Sequence, residues 1–436
     1  MKPVHVGLLG MGTVGGGTYA VLSRNAEEIS RRAGRPIAIT VAADRNLERI
    51  RAMTNGRCRV TDDAFAVVND PAVEVVVELI GGYTVARDLV LSAIENGKHV
   101  VTANKALLAV HGNEIFAAAQ KRGVIVAFEA AVAGGIPIVK ALREGLSANR
   151  IEWVAGIING TTNFILSEMR DKGISFAEAL AGAQRLGYAE ADPTFDIEGI
   201  DAAHKITLLA SIAFGIPVQF ARAHVEGISK LDAVDIRYAE YLGYRIKLLG
   251  LARKREDGVE LRVHPTLIPN KRLIANVEGA MNAVLVKGDA VDTTLYYGKG
   301  AGAEPTASAV IADLVDVARA AATDPDNRVP HLAFQPDRLH DVPVLPIDQA
   351  ETAGYLRLRV ADRPGALADV TRILADCAIS IDALLQREPE EGEGAADIIL
   401  LTHVCRERQT LDAIARMEAL PAVYGKVTRL RLENLQ

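Results

Sequence analysis

The feature that most constrains the fold is a glycine-rich turn near the N-terminus. The apolar run VHVGLL, residues 4–9, leads into Gly10-Met11-Gly12-Thr13-Val14-Gly15, and a helical pattern follows. A strand, a glycine turn and a helix in this order are what a dinucleotide fingerprint requires. One glycine makes the turn, one lets a pyrophosphate approach the backbone, and one allows the helix to pack on the strand. The pattern favours dinucleotide binding, and the alternative is a purely structural turn.

Apolar strands and amphipathic helices alternate through residues 1–130. Strands are predicted in IAITVAADR (37–45), VEVVVELIGG (73–82) and KHVVTANKALLA up to its break at 102–105. VIVAFEAAVAGGIP (124–137) is predicted to be a strand that leads into a glycine and proline bend. A helix is predicted in TVARDLVLSAIENG (84–97), and RNAEEISRRAGRP (24–36) is expected to extend the first helix or its loop. This α/β alternation predicts a Rossmann-type, doubly wound parallel sheet.

The carboxyl ends of parallel strands form the edge at which such sheets bind ligands. Gly81, Gly82, Asn104 and Lys105 each follow a predicted strand, so we expect them on that edge. Lys105 is therefore a candidate site residue, and the alternative is that it only caps a turn.

Asp44 and Arg45 end the second predicted strand, where an adenosine ribose would lie. An acid there accepts hydrogen bonds from ribose hydroxyls, whereas a guanidinium can pair with a 2'-phosphate. NADP(H) and NAD(H) both stay open, and the phosphorylated cofactor is favoured. The alternative is that Arg45 is a solvated surface charge.

Glu129 is unusual because it lies inside the apolar run VIVAFEAAVAGGIP, residues 124–137. A buried carboxylate has to be paired with a donor or bound to a cation. We therefore expect Glu129 to have a partner that the local sequence does not identify.

After about residue 150 the pattern changes to a mixed α+β domain. Helices are predicted around NFILSEMRDKG (163–173) and SFAEALAGAQRLG (175–187). The stretch at 248–268 is predicted to be a hairpin that turns near Asp257-Gly258. At 436 residues the chain is expected to form two or three domains, at roughly 150 residues each.

The C-terminal part is predicted to be a small ferredoxin-like βαββαβ module behind a proline-rich linker. Its predicted elements are YLRLRVAD, a turn at Arg363-Pro364-Gly365, ALADVTRILADC, a strand near 379–386, ADIILLTHV, TLDAIARME and KVTRLRLE. The acidic REPEEGEGAAD, residues 387–397, is predicted to be a loop between two hairpin strands. Nothing in this module indicates catalysis.

The stretch GYAEADPTFDIEGIDAAHK, residues 187–205, concentrates acids in front of a single lysine. Glu190, Asp192 and Asp196 precede the helix in a loop with Pro193, where carboxylates can converge on a ligand amine. The alternative is a polar lid that uses its acids as turn and cap residues.

Lys205 is the candidate catalytic residue. Asp201 and Lys205 stand at i and i+4 on one helical face, and the apolar ITLLASIAFG that follows indicates that this helix is buried. A buried lysine must be paired or have a lowered pKa, and either condition suits a proton donor in carbonyl reduction.

Two rival chemistries fit the sequence less well. A metal site would need DxDxDG-type spacing or histidine ligands, and His204 should face away from Lys205 and pack. Thioester-forming oxidation needs a thiolate at the site. Cys58 lies in a polar stretch of the cofactor half, and Cys377 and Cys405 lie in the tail, so direct hydride transfer is favoured.

Composition excludes several other functions. The net charge of -6, with scattered lysines and arginines, argues against nucleic acid as a partner. The three cysteines form no CxxC pair, which favours a reducing cytoplasm. No stretch approaches the ~20 apolar residues of a membrane span, and the N-terminal run lacks a signal-peptide cleavage site.

Together these motifs resemble the homoserine dehydrogenase family over nearly the whole chain. The resemblance rests on GLLGMGTVGGG, VVTANKALLA, EAAVAGGIPIV, GIINGTTNFIL, LGYAEADPTFDIEGIDAAHK and GKGAGAEPTASAV, in that order. The tail, with DRPGAL at its first turn, resembles an ACT domain, an amino-acid-sensing module. These likenesses imply a nucleotide-binding domain over 1–130 completed by a helix at 305–322, a substrate-binding and dimerisation domain over 131–304, a linker over 323–352 and an ACT domain over 353–436.

The resemblance implies reversible, NAD(P)H-dependent reduction of L-aspartate 4-semialdehyde to L-homoserine, in threonine, methionine and isoleucine synthesis. It makes Lys205 the proton donor and Glu190, Asp196 and Asp201 substrate ligands, with Lys105 between substrate and cofactor. It places the following residues at the cofactor: Gly10, Gly12, Thr13, Val14, Gly15, Asp44, Arg45, Gly187 and Gly302. It implies a monovalent cation, Na⁺ or K⁺, at Glu129 and the main-chain carbonyls of Val132, Gly134 and Ile136.

The resemblance also implies a homodimer or homotetramer that threonine inhibits through the tail. A carboxylate of such an effector could bind at the helix N-terminus that follows Gly365. Deletion of residues 350–436 is then expected to leave activity and to abolish inhibition. The alternative function is that of a non-catalytic amino-acid sensor that has kept a nucleotide-binding fold.

Overall fold

The fold is built on two β-sheets, as seen in a computed structural model that describes residues 2–386 and 394–436. Within that part of the chain, one sheet has six strands and the other has eleven. Most of the acidic loop expected at 387–397 lies outside the described residues. No helix in the described part is long and apolar enough to cross a bilayer.

The six-stranded sheet is parallel and has the order β3-β2-β1-β4-β5-β6. Its strands are β1 (Val4–Leu9), β2 (Ile37–Ala43), β3 (Arg59–Thr61), β4 (Val75–Glu78), β5 (His99–Thr102) and β6 (Val126–Ala127). The order reverses between β1 and β4, which creates the crevice in which dinucleotides bind in such folds. The prediction of a doubly wound Rossmann-type sheet is confirmed.

Six helices cover the faces of this sheet. They are α1 (Thr13–Arg24), α2 (Ala26–Ala33), α3 (Leu47–Thr54), α4 (Ala64–Val68), α5 (Val85–Glu95) and α6 (Lys105–Arg122). The segment expected to extend α1 is a separate helix, because Asn25 leaves helical geometry with φ -106° and ψ 20°. The extra helix lengthens the interval between the glycine turn and Asp44, which exceeds the ~20 residues usual in such folds.

The central part of the chain builds one half of the eleven-stranded sheet. Its strands are β7 (Ile151–Ile157), β8 (His224–Val225), β9 (Tyr244–Lys254), β10 (Val259–Pro269), β11 (Met281–Gly288) and β12 (Asp292–Lys299). The hairpin predicted around Asp257-Gly258 is confirmed as the antiparallel pair β9 and β10.

Seven helices accompany these strands. They are α7 (Ile138–Lys140), α8 (Gly160–Lys172), α9 (Phe176–Arg185), α10 (Thr194–Ile197), α11 (Ile200–Phe214), α12 (Ala233–Tyr241) and α13 (Ala303–Ala320). Helix α10 carries Asp196, and α11 carries Asp201 and Lys205. Helix α7 continues as a π-helix at Ala141–Gly145. Every residue of α11 from Asp201 to Phe214 is buried, as the apolar sequence predicts. Helix α13 returns to the first domain and packs on α1.

The C-terminal module has the predicted βαββαβ order. It contains β13 (Glu351–Ala361), α14 (Ala366–Asp376), β14 (Ile381–Gln386), β15 (Ala395–Thr402), α15 (Glu407–Glu418) and β17 (Val423–Leu432), with a two-residue strand, β16 (Cys405–Arg406), before α15. Strands β14 and β15 pair antiparallel on either side of the acidic segment.

This module is continuous with the central sheet. Strand β17 pairs with β10, which makes one sheet in the order β12-β11-β7-β9-β10-β17-β13-β15-β14. Arg357 and Tyr355 of β13 both bond to the buried Asp235 of α12. The expectation that residues 350–436 can be removed without loss does not fit this packing, because their removal would expose β10 and leave Asp235 without its partners.

The proline-rich stretch that precedes the C-terminal module is packed against earlier parts of the chain. The ring of Phe334 covers Gly215 at the end of α11, and Nε2 of His331 accepts the backbone N–H of Val126 at 3.1 Å. Further along, the N–H of Leu345 bonds to the carbonyl of Val259. These contacts tie the expected linker to both domains that precede it.

Candidate active site

The glycine turn forms the floor of the crevice between β1 and β4. A Cβ on Gly15 would lie 2.0 Å from the carbonyl oxygen of Gly10, so only glycine permits this approach of helix to strand. A Cβ on Gly12 would meet nothing within 4 Å, and no side chain caps α1. The free backbone N–H groups at the start of α1, around Thr13 and Val14, therefore face open space and fit a pyrophosphate.

Asp44 and Arg45 lie at the end of β2, as expected, but they differ in their surroundings. The carboxylate of Asp44 accepts the N–H of Met11 at 2.7 Å and the N–H of Asn46 at 3.0 Å, so it braces the glycine turn. Arg45 is exposed and has no ion pair among the described residues. The guanidinium of Arg45 is thus the freer of the two to meet a ligand.

Lys105 is the first residue of α6, at the carboxyl end of β5. Asn104 caps this helix by accepting the N–H of Leu107 at 3.0 Å, and its amide donates to the carbonyl of Gly82 at 2.6 Å. Asn104, and not Lys105, therefore caps this helix. The ammonium group of Lys105 extends to 3.1 Å from the carboxylate of Asp201 and lies 5.7 Å from the ring centre of Phe195.

Lys205 and Asp201 form a buried pair one helical turn apart. Nζ of Lys205 donates to Oδ2 of Asp201 at 2.6 Å and to the carbonyl of Ile158 at 2.8 Å, and the two side chains are 11% and 4% exposed. Nζ of Lys205 therefore lies away from bulk solvent, on the same carboxylate that Lys105 reaches. Asp201 joins the two lysines.

The charges of this group shift one another. Burial lowers the pKa of Lys205, whereas the carboxylate of Asp201 opposes that shift. Asp201 also raises the pKa of Lys105. Burial favours the neutral form of Asp201, but Lys205 and Lys105 overcome it and hold the pKa of that carboxyl below its usual range. The pair therefore presents a buried ammonium that releases its proton more readily than an exposed one.

The remaining acids of the stretch divide into two groups. Asp196 lies beside the lysines, and burial and the charge of Asp201 raise its pKa. The charge of Glu190 contributes to the raised pKa of Lys105. Asp192 instead accepts the N–H and hydroxyl of Thr194 in a local turn, and Glu198 packs against Gly227. The geometry of Asp192 fits the turn-and-cap role, whereas Asp196 and Asp201 lie beside the lysines and Glu190 is exposed nearby.

Asn159 is a residue of this site that sequence reasoning missed. Its amide nitrogen donates to Asp196 at 2.7 Å and to Asp201 at 2.9 Å, and it lies between β7 and α8. The signal in the sequence was an asparagine at a strand end, directly before the glycine and threonines of INGTT. Close by, the hydroxyl of Thr161 donates to the carbonyl of Tyr188 and joins α8 to the acidic loop.

Glu129 is buried, and its carboxylate has two backbone N–H groups as partners. Its carboxylate accepts the N–H of Val139 at 2.9 Å and of Lys140 at 2.8 Å. Burial nevertheless raises its pKa to about 7. The main chain at Val132, Gly134 and Ile136 is also buried, and Ala133 between them has a φ of +51°.

The two remaining glycines of the expected site lie next to helix ends. Gly187 (φ +74°) follows α9 and Gly302 (φ +122°) begins α13, and both are exposed. His204 packs between the rings of Phe195 and Phe220, and burial lowers its pKa to about 4. The prediction that His204 packs against other side chains agrees with these two ring contacts.

Family models match most of the chain. Residues 10–129 match the model described as homoserine dehydrogenase, NAD binding domain, and residues 137–315 match that described as homoserine dehydrogenase. The chain belongs to the homoserine dehydrogenase family. It is accordingly an oxidoreductase with a nicotinamide-binding domain. Residues 354–422 match the ACT domain model, which confirms the resemblance of the tail.

Relatives support the same assignment over the full length. A homoserine dehydrogenase of Pseudomonas aeruginosa is 65% identical, with 100% of both chains covered. The crystal structure of a homoserine dehydrogenase from Thiobacillus denitrificans is 69% identical, with a TM-score of 0.96 over 100% of this chain and 99% of the other. A hyperthermophilic archaeal homoserine dehydrogenase in complex with NADPH is 25% identical, with a TM-score of 0.62 over 72% of this chain and 97% of the other.

Proposed function

We propose that this homoserine dehydrogenase reversibly reduces L-aspartate 4-semialdehyde to L-homoserine with NAD(P)H, and that Lys205 is the proton donor. The observation that carries the proposal is the buried group of Lys205, Asp201 and Lys105 at the carboxyl edge of the dinucleotide-binding sheet. A carbonyl reduction needs a hydride source and a positioned acid. The dinucleotide-binding fold can hold the hydride source, and Lys205 on α11 is the acid.

The proton step falls to Lys205. The bound nicotinamide supplies the hydride that reduces the aldehyde carbon and accepts it in the reverse reaction. The ammonium of Lys205 gives its proton to the aldehyde oxygen as that oxygen becomes an alcohol, and in reverse the amine takes the proton back. Asp201 keeps the ammonium charged and directed, while burial lowers the pKa of Lys205 and makes it a stronger acid.

The acids and the second lysine suit the two ends of an amino-acid substrate. Glu190, Asp196 and Asp201 offer carboxylates to the substrate's ammonium group, and Lys105 offers an ammonium to a carboxylate or to the carbonyl oxygen. Asp201 is buried and Asp196 is partly buried, so water screens their charges less than it screens the exposed carboxylate of Glu190. A substrate with no α-ammonium should therefore be a poor one.

NADP(H) is the cofactor that the crevice favours. Arg45 is exposed and unpaired among the described residues, so it is available to a 2'-phosphate. Asp44 uses its carboxylate on two backbone N–H groups, which leaves it less able to select for a free ribose hydroxyl. The NADPH complex of the archaeal relative agrees with this preference.

A monovalent cation, Na⁺ or K⁺, is proposed at Glu129 and the carbonyls of Val132, Gly134 and Ile136. Oxygen donors suit such ions, and the residues fit one because Glu129 is buried, with its pKa raised by desolvation. The carbonyl of Ile136 also accepts the N–H of Ile138. The ion would hold the segment that leads from β6 into α7. It takes no part in the proton step.

The C-terminal module is proposed to bind an amino-acid effector, with threonine as the expected one, and to inhibit the enzyme. Gly365 (φ +93°) precedes α14, and no side chain caps this helix. The N–H of Ala366 donates to the carbonyl of Arg363, which leaves the next N–H groups of the first turn for a carboxylate. Control of this kind suits an enzyme of threonine, methionine and isoleucine synthesis in the cytoplasm. A homodimer or homotetramer is the expected assembly.

A buried ionic cluster provides the route from this module to the site. Arg429 and Arg431 of β17 both donate to Glu226, which follows β8. Next to it, the N–H of Ile228 donates to the carbonyl of Ile197 at the end of α10. A Cβ on Gly227 would lie 2.4 Å from that carbonyl, so this contact leaves no free space. A movement of β17 would thus reach the helix that carries Asp196.

The experiment that tests the proposed reaction is cofactor oxidation with aspartate 4-semialdehyde. We expect NADPH absorbance to fall when the aldehyde is added, and NADP⁺ to be reduced when L-homoserine is added instead. Asp192→Asn is a matched control, because within the described part of the chain this acid bonds only to Thr194, and its loss should not alter the rate. Binding of cofactor and amino acid with no oxidation in either direction would favour the sensor function.

A further inference from the structure

We propose that Asn159 is a positioning residue of the active site, and that its amide group holds Asp196 and Asp201 in the arrangement that the two lysines require. The inference rests on the proposed function, because it assigns Asn159 a role in the same proton step. Asn159 is 4% exposed and lies on the loop between β7 and α8.

The orientation of this amide is set by the helix that it caps. Oδ1 of Asn159 accepts the N–H of Thr162 at 2.8 Å and the hydroxyl of the same residue at 2.9 Å. The backbone N–H of Thr162 can only donate, so the amide oxygen has to face α8. The amino group must then face the other way, toward α10 and α11.

The amino group has two hydrogens, and each meets a different carboxylate. One is donated to Oδ1 of Asp196 at 2.7 Å and the other to Oδ2 of Asp201 at 2.9 Å. The same Oδ2 accepts from Lys205. All hydrogen-bonding atoms of the asparagine side chain are thus used, and none is left to contact a substrate.

The carboxylates need such a donor because they repel each other. Burial and the charge of Asp201 raise the pKa of Asp196, and the hydrogen bond from Asn159 opposes that shift. The other charged or titratable groups that face the pair are Lys205 and His204 of α11 and Lys105 of α6, with Glu190 from the loop. Among these groups, Asn159 is the neutral donor that bridges both acids.

Two substitutions separate positioning from capping. Serine and aspartate are both good N-caps, so Asn159→Ser and Asn159→Asp keep an acceptor for the N–H of Thr162 and remove the donors to the acids. Thr162→Val is the matched control. It removes one bond that the amide oxygen accepts and leaves the amino group in place.

The test is the pH dependence of kcat/KM for the full-length enzyme with aspartate 4-semialdehyde. We expect Asn159→Ser to lower kcat/KM about 10- to 100-fold at neutral pH and to move the acid limb of the profile up by about one pH unit, because a hydrogen bond to a charged group is lost. Asn159→Asp should be lower still, since it adds a third carboxylate. Thr162→Val should lower the unfolding temperature and leave the acid limb unchanged.

Three results would overturn the inference. The first is an acid limb that stays in place in both Asn159 variants, whatever their rates. The second is an equal shift in Thr162→Val, which would assign the effect to the cap. The third is loss of the folded state in both Asn159 variants, which would make the residue structural. An unsubstituted enzyme with no activity on the aldehyde would instead refute the proposed function.

Discussion

Asp201→Asn is the substitution whose consequences follow most directly from the geometry. It keeps the volume of the side chain and removes the charge that Lys205 and Lys105 share, at 2.6 Å and 3.1 Å. Lys205 then remains buried with a carbonyl and a neutral amide as its partners. Two properties should change, the pKa of Lys205 and the stability of the fold.

The size of the effect on catalysis can be worked out from the lost bond. A hydrogen bond to a charged group contributes about 1.5–3 kcal/mol, and about 1.4 kcal/mol corresponds to one pKa unit, so the pKa of Lys205 should fall by a further one to two units or so. Reduction needs the protonated amine, and its rate is lost as pH rises through that pKa. The basic limb of kcat for aldehyde reduction should therefore move to lower pH.

Stability provides a second, independent measurement. Loss of one partner from a buried ion pair costs about 3–5 kcal/mol, which urea unfolding would detect at neutral pH. The folded-state pKa of Lys205 is depressed below its unfolded value, so the deficit should shrink as pH rises and the amine becomes neutral in both states. Asp192→Asn controls for the loss of an acid from the same stretch of the chain, residues 187–205. A basic limb that does not move, together with normal stability, would refute the assigned pairing.

Three other predictions follow from the cofactor crevice and the C-terminal module. Arg45→Ala should weaken NADPH binding about 10- to 100-fold and leave NADH binding almost unchanged, as titration calorimetry would show, and equal losses would remove Arg45 from the 2'-phosphate. Glu226→Gln should lower the free energy of unfolding by about 1–3 kcal/mol and weaken threonine inhibition, whereas Glu256→Gln, on an exposed turn, should do neither. Deletion of residues 350–436 should give an unstable, inactive protein, because Asp235 and β10 lose their partners. Full activity of the truncated protein would show instead that the tail is a separable module.

The sequence predicts the Rossmann-type sheet, the βαββαβ module and the pairing of Asp201 with Lys205 because these depend on local patterns. The strand and glycine turn at 4–15 specify a Rossmann unit, and the apolar residues after Lys205 show that its helix is buried. The i, i+4 spacing then places Asp201 beside Lys205 with no further information. These features need only the neighbours along the chain.

Other contacts could not be predicted because they join distant segments. Asn159 lies 37 and 42 positions from the acids that it bridges, and Tyr355 lies 120 positions from Asp235. The pairing of β10 with β17 likewise depends on how two domains meet. The partners of Glu129 could not be predicted because they are backbone N–H groups, which carry no signal in the sequence.

The central claim is that the buried amine of Lys205 carries the proton. Turnover of aspartate 4-semialdehyde by Lys205→Ala, with folding checked by circular dichroism and NADPH binding by calorimetry, tests it most directly. We expect kcat to fall about 10²- to 10⁴-fold while NADPH binds normally. A folded variant that binds NADPH and turns over at the parent rate would contradict the claim.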